Sequence, residues 1–207
     1  MIAEFNKENP PTAKDKEYRN EYSAIARDQL KTSFLNDLFT EFGGNTYEGG
    51  IFRVHNFGSS FFWTHTIKNY FKDQNSIEFN CFGFDWMGRQ YGIDATNALI
   101  LMFDPATGEK FELEQSINGF FNIDLVEYKS DTLASDTFYH LEGLHNKNLP
   151  FSKCLGFKKP LFLGGEDSLE NYELVDMEVF WELSYQLYCK AKGLPVGTII
   201  EKIDISH

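Results

Sequence analysis

Positive charge is scarce in this chain. Its 207 residues include 19 Lys and Arg against 31 Asp and Glu, a formal net charge of −12. A field of this sign repels the phosphates of nucleic acids and anionic membrane surfaces. It also speeds the encounter with a basic protein, although acidity can serve solubility alone. The charge therefore argues against nucleic-acid binding and leaves a basic protein partner open.

Long hydrophobic runs are also missing. The longest, from Ala98 to Phe103, has six residues, whereas a membrane-spanning helix needs about 20. The first 20 residues are polar and mixed in charge, without the apolar segment of a secretory signal. We therefore expect a cytoplasmic protein with no membrane attachment.

Metal-binding and nucleophilic motifs are absent from the sequence as well. The three cysteines, Cys81, Cys154 and Cys189, are an odd number and lack the spacing of a zinc site. The five histidines share no motif, and no signature of a hydrolase or a phosphate-binding loop occurs. We expect free thiols, no metal, no cofactor and no catalytic residue.

Apolar side chains are plentiful and predict a folded domain. They make up 42% of the residues, with 21 Phe, which excludes a disordered chain. Residues 1–15, with Pro10 and Pro11, are predicted to form a mobile arm. Residues 16–207 are predicted to form a single domain.

The pattern of predicted elements is typical of an α+β fold. Alternating apolar residues and turn signals indicate a β-meander of four strands between Ser76 and Glu114. Helical spacing precedes and follows the meander, with Asp176 as the expected cap of the last helix, over residues 176–193. We therefore predict a single, mostly antiparallel sheet packed with helices.

Three charged residues interrupt the aromatic segment FGFDWMGRQYGID at residues 82–94: Asp85, Arg89 and Asp94. A hairpin turn explains Asp85, since an Asp at the first turn position accepts backbone hydrogen bonds, and Asp94 repeats this pattern. Trp86 and Met87 are then displayed at the tip or folded back onto the sheet. The alternative is a hydrolase in which at least two of the acids Asp85, Asp94 and Glu166 meet in a pocket as paired catalytic carboxylates.

A second segment, LFLGGEDSLEN at residues 161–171, places Glu166 and Asp167 after two glycines. Acids at this position repel phosphate, so the segment is a turn or a contact for a cation or a basic side chain. Together with the hairpin tip, it gives the predicted partner-binding residues: Trp86, Met87, Glu166 and Asp167.

Four blocks of the sequence resemble one known family in the expected order: FGFDWMGRQYGID, LMFDPATGEKFELEQSINGFFN, KPLFLGGEDSLENYELVDMEVFWEL and GLPVGT. The family is that of the immunity proteins that pair with type VI secretion DNase effectors, and the resemblance extends from about residue 34 to residue 200. The middle block is also similar to the wider SUKH (Smi/Knr-like) superfamily of toxin-immunity proteins, which has an α+β fold.

The resemblance implies a protein that neutralises a cognate toxin, a nuclease, by binding it. It transfers no catalytic residue to this chain, and the acidic composition is compatible with occlusion of a basic nuclease surface. The main alternative is a non-catalytic regulatory or scaffolding module of the SUKH type.

Overall fold

The computed structural model describes residues 2–30, 33–71, 78–141, 143, 148–195 and 198. Its centre is a seven-stranded antiparallel sheet in which the strands follow chain order. The strands are β1 (Ala13–Lys14), β2 (Asn45–Tyr47), β3 (Phe52–Val54), β4 (Phe79–Asp85), β5 (Gln90–Asp94), β6 (Ile100–Asp104) and β7 (Glu109–Leu113). The predicted α+β class and the meander, which is β4 to β7, are confirmed.

A second antiparallel sheet contains two strands, β8 (Lys153–Phe157) and β9 (Tyr172–Asp176). The sequence predicts one sheet and does not reveal this pair, because 14 residues rich in Gly, Lys and acids separate its two strands. Only a contact between distant parts of the chain sets their register, which pairs Leu155 with Leu174.

Helices cover both faces of the large sheet. They are α1 (Ile2–Glu8), α2 (Ser23–Leu30), α3 (Phe34–Phe42), α4 (Phe57–Tyr70), α5 (Ile117–Gly119), α6 (Lys129–Leu133), α7 (Ser135–His140) and α8 (Met177–Ala191). Asp176 caps α8 as predicted, since its Oδ1 accepts from the N–H groups of Glu178 at 3.1 Å and Val179 at 3.3 Å. None of the described helices has the length and hydrophobicity of a membrane span.

The N-terminal residues, where a mobile arm is predicted for residues 1–15, contact the domain in the structure. The side chains of Ile2 and Phe5 are only 3% and 5% exposed, and the Phe5 ring lies 5.1 Å from that of Tyr47. Ile2 and Phe5 lie three residues apart and therefore share one face of α1. After Pro10 and Pro11, β1 pairs with β2 and extends the large sheet.

Two hydrophobic clusters lie on opposite faces of the large sheet. One gathers Phe52, Phe82, Tyr91, Phe120 and Phe121, and the other gathers Trp63, Phe84, Phe103, Met177 and Trp181. Phe82 and Phe84 lie in different clusters because a β-bulge between Cys81 and Gly83 shifts the alternation of β4. Helix α8 and the small sheet thus pack against a rigid aromatic core.

Candidate functional site

Asp85 is a buried structural group at the β4–β5 hairpin. Its Oδ1 accepts from the N–H groups of Met87 at 3.0 Å and Arg89 at 3.1 Å. Its Oδ2 accepts from Arg89 Nε at 2.5 Å and from the Tyr91 hydroxyl at 3.0 Å. Its side chain is 0% exposed. These four bonds satisfy the carboxylate, so the turn-and-support interpretation of Asp85 is confirmed.

The partner of Asp85 is a charged guanidinium. Burial alone would lower the pKa of Arg89, but the charge of Asp85 and the hydrogen bond between them raise this pKa above its ordinary value. Arg89 also donates to the carbonyl of Thr132 at 2.8 Å, which ties the hairpin to α6. The pair therefore anchors elements of the fold to each other.

Asp94 is a second turn acceptor, and it lies far from Asp85. Its Oδ1 accepts from the N–H of Thr96 at 2.7 Å. In the sheet Asp94 is opposite Phe79, at one end of β4, whereas Asp85 is at the other end and is opposite Phe52 of β3. Six residues of strand separate these ends by about 20 Å. The paired-carboxylate hypothesis for Asp85 and Asp94 is therefore wrong.

Trp86 belongs to the core, which corrects the expectation that it contacts a partner. Its side chain is 0% exposed, and its Nε1 donates to the carbonyl of Leu133 at 2.5 Å. Its ring packs against Phe138 and Tyr172. Burying the large ring and satisfying its one polar atom favours this position over display at the tip. Met87 is half-buried and packs against the core.

Two further buried polar residues have structural roles. Arg53 of β3 donates to the carbonyls of Pro150 at 2.9 Å, Lys153 at 2.7 Å and Asp85 at 2.8 Å, and it lies 4.3 Å from the ring centre of Phe84. Burial lowers its pKa to about 10, which leaves it charged at neutral pH. Arg53 thereby joins the large sheet to the start of β8.

His55 is the other buried polar residue and is unsuited to acid–base chemistry. Its ring nitrogens lie 3.0 Å from the Ser59 hydroxyl and 3.0 Å from the Gln90 amide oxygen. Burial lowers its pKa to about 3. The imidazole is therefore neutral at physiological pH, and both of its nitrogens are used within the core.

The strongest candidate for a partner-binding surface surrounds β9 and the start of α8. Residues 160–189 contain seven acids and no Lys or Arg. We define the acidic β9–α8 surface by the exposed residues of this segment between residues 166 and 183: Glu166, Asp167, Leu169, Glu170, Glu173, Leu174, Val179, Glu182 and Leu183. Glu166 and Asp167, predicted from the sequence, are both exposed members of it.

Large apolar side chains are exposed among these acids. Leu169, Leu174, Val179 and Leu183 are 45%, 42%, 54% and 37% exposed. Val179 and Leu183 are four residues apart on α8 and therefore lie on the same face of the helix. A surface that mixes exposed aliphatic groups with acids of one sign is suited to a basic protein partner.

The acids of this surface differ in whether their carboxylates already accept a hydrogen bond within the protein. Asp167 accepts a hydrogen bond from the Tyr172 hydroxyl at 2.9 Å, and Glu182 accepts one from the Tyr70 hydroxyl at 2.6 Å. Within the described chain, the carboxylates of Glu166, Glu170 and Glu173 have no hydrogen bond and no ion pair. These three carboxylates are available to an incoming cation.

A few lysines border this surface and reduce its charge. Lys158 donates to the backbone carbonyl of Glu170 at 2.6 Å, and Lys153 lies 3.9 Å from Asp176. Over residues 153–182, a range that includes the neighbouring lysines, there are seven acids and three lysines, so the local charge is 3 − 7 = −4. Among the described residues, no group of three or more His, Cys, Asp and Glu side chains could hold a metal ion.

The fold of the chain and part of its sequence resemble known proteins. A crystal structure of Atu4351 from Agrobacterium tumefaciens has a similar fold, with a TM-score of 0.59 and 13% sequence identity over 90% of this chain and 89% of that chain. No curated protein matches the chain in sequence.

A family model described as the C-terminal part of the T6SS immunity protein Tdi1 matches residues 114–188. This range contains the whole acidic β9–α8 surface. Residues 114–188, which are 75 of the chain's 207 residues, are therefore similar to the Tdi1 family of type VI secretion immunity proteins.

Proposed function

We propose that the protein binds a cognate toxin effector, a nuclease, and neutralises it by occluding its basic surface. One observation carries this proposal. The residues that match the family include the acidic β9–α8 surface, where acids and aliphatic side chains are exposed together. The match supports an immunity role, and the chemistry of the surface supports a basic partner.

The charges support this choice of partner. A nuclease needs positive charge to hold the phosphates of its substrate. An inhibitor with a net charge of −12 is attracted to that charge over a distance, which raises the association rate. A stable complex buries about 1,200–2,000 Å² of surface in total, and a few residues near the centre of the interface contribute most of the binding energy. Leu174 and Val179 are exposed aliphatic side chains that such a complex would bury.

Inhibition of this kind needs no catalysis by the immunity protein. The sequence offered Asp85, Asp94 and Glu166 for catalysis. Asp85 is buried and fully hydrogen-bonded, Asp94 is a turn acceptor beside the other end of β4, and Glu166 is exposed. We infer a non-enzymatic protein that acts in the cytoplasm, where a DNA-cleaving toxin meets its substrate.

Co-expression with a toxin encoded by the neighbouring gene tests this function. We expect the protein to restore growth to cells that make the toxin, and the two proteins to co-elute from a gel-filtration column. We expect their affinity to fall as salt is raised from 50 to 500 mM. Toxicity that persists with both proteins soluble and separate would overturn the proposal. A stable complex with a non-toxic partner alone would favour the regulatory module instead.

A further inference from the structure

We propose that the outer edge of β9 pairs with a basic β-strand of the toxin, which extends the small sheet by one strand. This inference rests on the proposed function and adds the mode of recognition. In such pairing the main-chain hydrogen bonds supply affinity, and the alternating side chains supply specificity.

The hydrogen-bond pattern of the small sheet shows which backbone groups β9 leaves open. The N–H of Leu155 donates to the carbonyl of Trp86 at 2.8 Å and therefore points away from β9. Leu155 is opposite Leu174, so this is a non-hydrogen-bonded pair of the antiparallel ladder. The N–H and C=O of Leu174 must then point away from β8, toward the outer edge.

Two hydrogen bonds just beyond the ends of the ladder agree with this assignment of inward-facing and outward-facing backbone groups. The N–H of Lys158 donates to the carbonyl of Asn171 at 2.7 Å, and the N–H of Met177 donates to the carbonyl of Ser152 at 3.0 Å. These residues form hydrogen-bonded pairs, which alternate along an antiparallel ladder with non-hydrogen-bonded pairs such as that of Leu155 and Leu174. Asp176, two residues after Leu174, therefore also directs its N–H outward.

This edge is open in the part of the chain that the structure describes, where no strand pairs with it. The side chain of Leu174 is 42% exposed, and Glu173 is exposed beside it. Natural proteins commonly protect an edge strand with Lys, Pro or a covering element. The sequence of β9, YELVD, contains neither Lys nor Pro.

The charges around the edge select the kind of strand that it accepts. Glu170 and Glu173 are exposed and lie before and within β9, and Glu166 precedes them in the same segment. Their carboxylates carry no ion pair among the described residues. A strand with Lys or Arg at alternating positions gains attraction from these acids, whereas an acidic strand is repelled. The edge is five residues long, which limits the pairing to a short segment.

The substitution Leu174→Pro tests the pairing because it removes an outward N–H. Proline is tolerated at the outer side of an edge strand, and here it leaves the bonds between β8 and β9 in place. We expect the Leu174→Pro variant to bind the toxin about tenfold more weakly. The matched control, Leu174→Val, keeps the N–H and an aliphatic side chain and should bind within about threefold of the unmodified protein. Titration calorimetry measures both affinities.

Amide hydrogen exchange on the unmodified protein gives a second readout that does not depend on a variant folding. We expect exchange at the amides of Leu174 and Asp176 to slow at least about tenfold in the complex. A complex that forms and protects cells, but leaves both amides exchanging at the free rate and binds Leu174→Pro normally, would overturn the edge pairing and leave the proposed function standing. Absence of any complex would overturn both.

Discussion

Replacing Asp85 with Ala is expected to lower the free energy of unfolding by about 3–5 kcal/mol, the largest stability effect that we predict for a single substitution. The change leaves the Arg89 guanidinium, whose side chain is only 12% exposed, without its counter-charge. It also removes the acceptor for the N–H groups of Met87 and Arg89 and for the Tyr91 hydroxyl. Urea unfolding followed by tryptophan fluorescence measures the effect.

Asp94→Ala is the matched control for this prediction. Asp94 also accepts a turn N–H, from Thr96, but it has no ion pair among the described residues. We expect a loss of about 1 kcal/mol, the usual net contribution of one hydrogen bond. Equal losses for the two variants would contradict the role of Asp85 as the buried anchor of the hairpin. A stable Asp85→Ala protein that fails only in toxin binding would contradict it as well.

Reversing three charges on the acidic β9–α8 surface is expected to slow toxin association about 10- to 100-fold at low salt. The variant carries Glu166→Lys, Glu170→Lys and Glu173→Lys, which exchanges the three unpaired acids for positive charges. The expected cause is the loss of long-range attraction to a basic surface, so the difference should shrink as salt is added. Stopped-flow fluorescence at several salt concentrations measures the association rate.

A second triple variant distinguishes the effect of this surface on the association rate from the effect of the protein's net charge. Glu8→Lys, Asp37→Lys and Glu41→Lys change the total charge by the same +6, at exposed positions on α1 and α3. We expect this control to retain most of the association rate. If both triple variants slow association equally, net charge alone steers the encounter. If neither does, the toxin binds elsewhere on the molecule.

The meander was predictable because its signals are local. Its strands are short apolar-rich segments bounded by turn residues, and Gly88 and Gly108 adopt the positive φ values of 79° and 71° that tight turns require. The cap at Asp176 was equally readable, because an Asp before an amphipathic segment satisfies the first N–H groups of a helix. These features depend on neighbours within a few residues.

Features that depend on distant contacts were not predictable from the sequence. Trp86 follows a turn acceptor, which suggested display at the tip, yet its ring is buried by Phe138 and Tyr172 from two later elements. Arg53 is a buried charge whose carbonyl partners, Asp85, Pro150 and Lys153, lie at least 32 residues away in the sequence. The pairing of β8 with β9 is likewise non-local.

The candidate site was found in part. Glu166 and Asp167 were predicted from their position after two glycines, and both are exposed on the acidic β9–α8 surface. The predictions missed Glu170, Glu173 and Leu174, since a strand edge cannot be recognised before its partner is known. One signal was available in the sequence: a stretch of 30 residues without a single Lys or Arg.

A structure of the complex with the toxin tests the central claim most directly. The account predicts toxin Lys or Arg side chains within hydrogen-bonding distance of the Glu166, Glu170 and Glu173 carboxylates. It also predicts a toxin strand on the outer edge of β9. A complex in which residues 166–183 stay exposed to solvent, while the toxin binds another face, would contradict it.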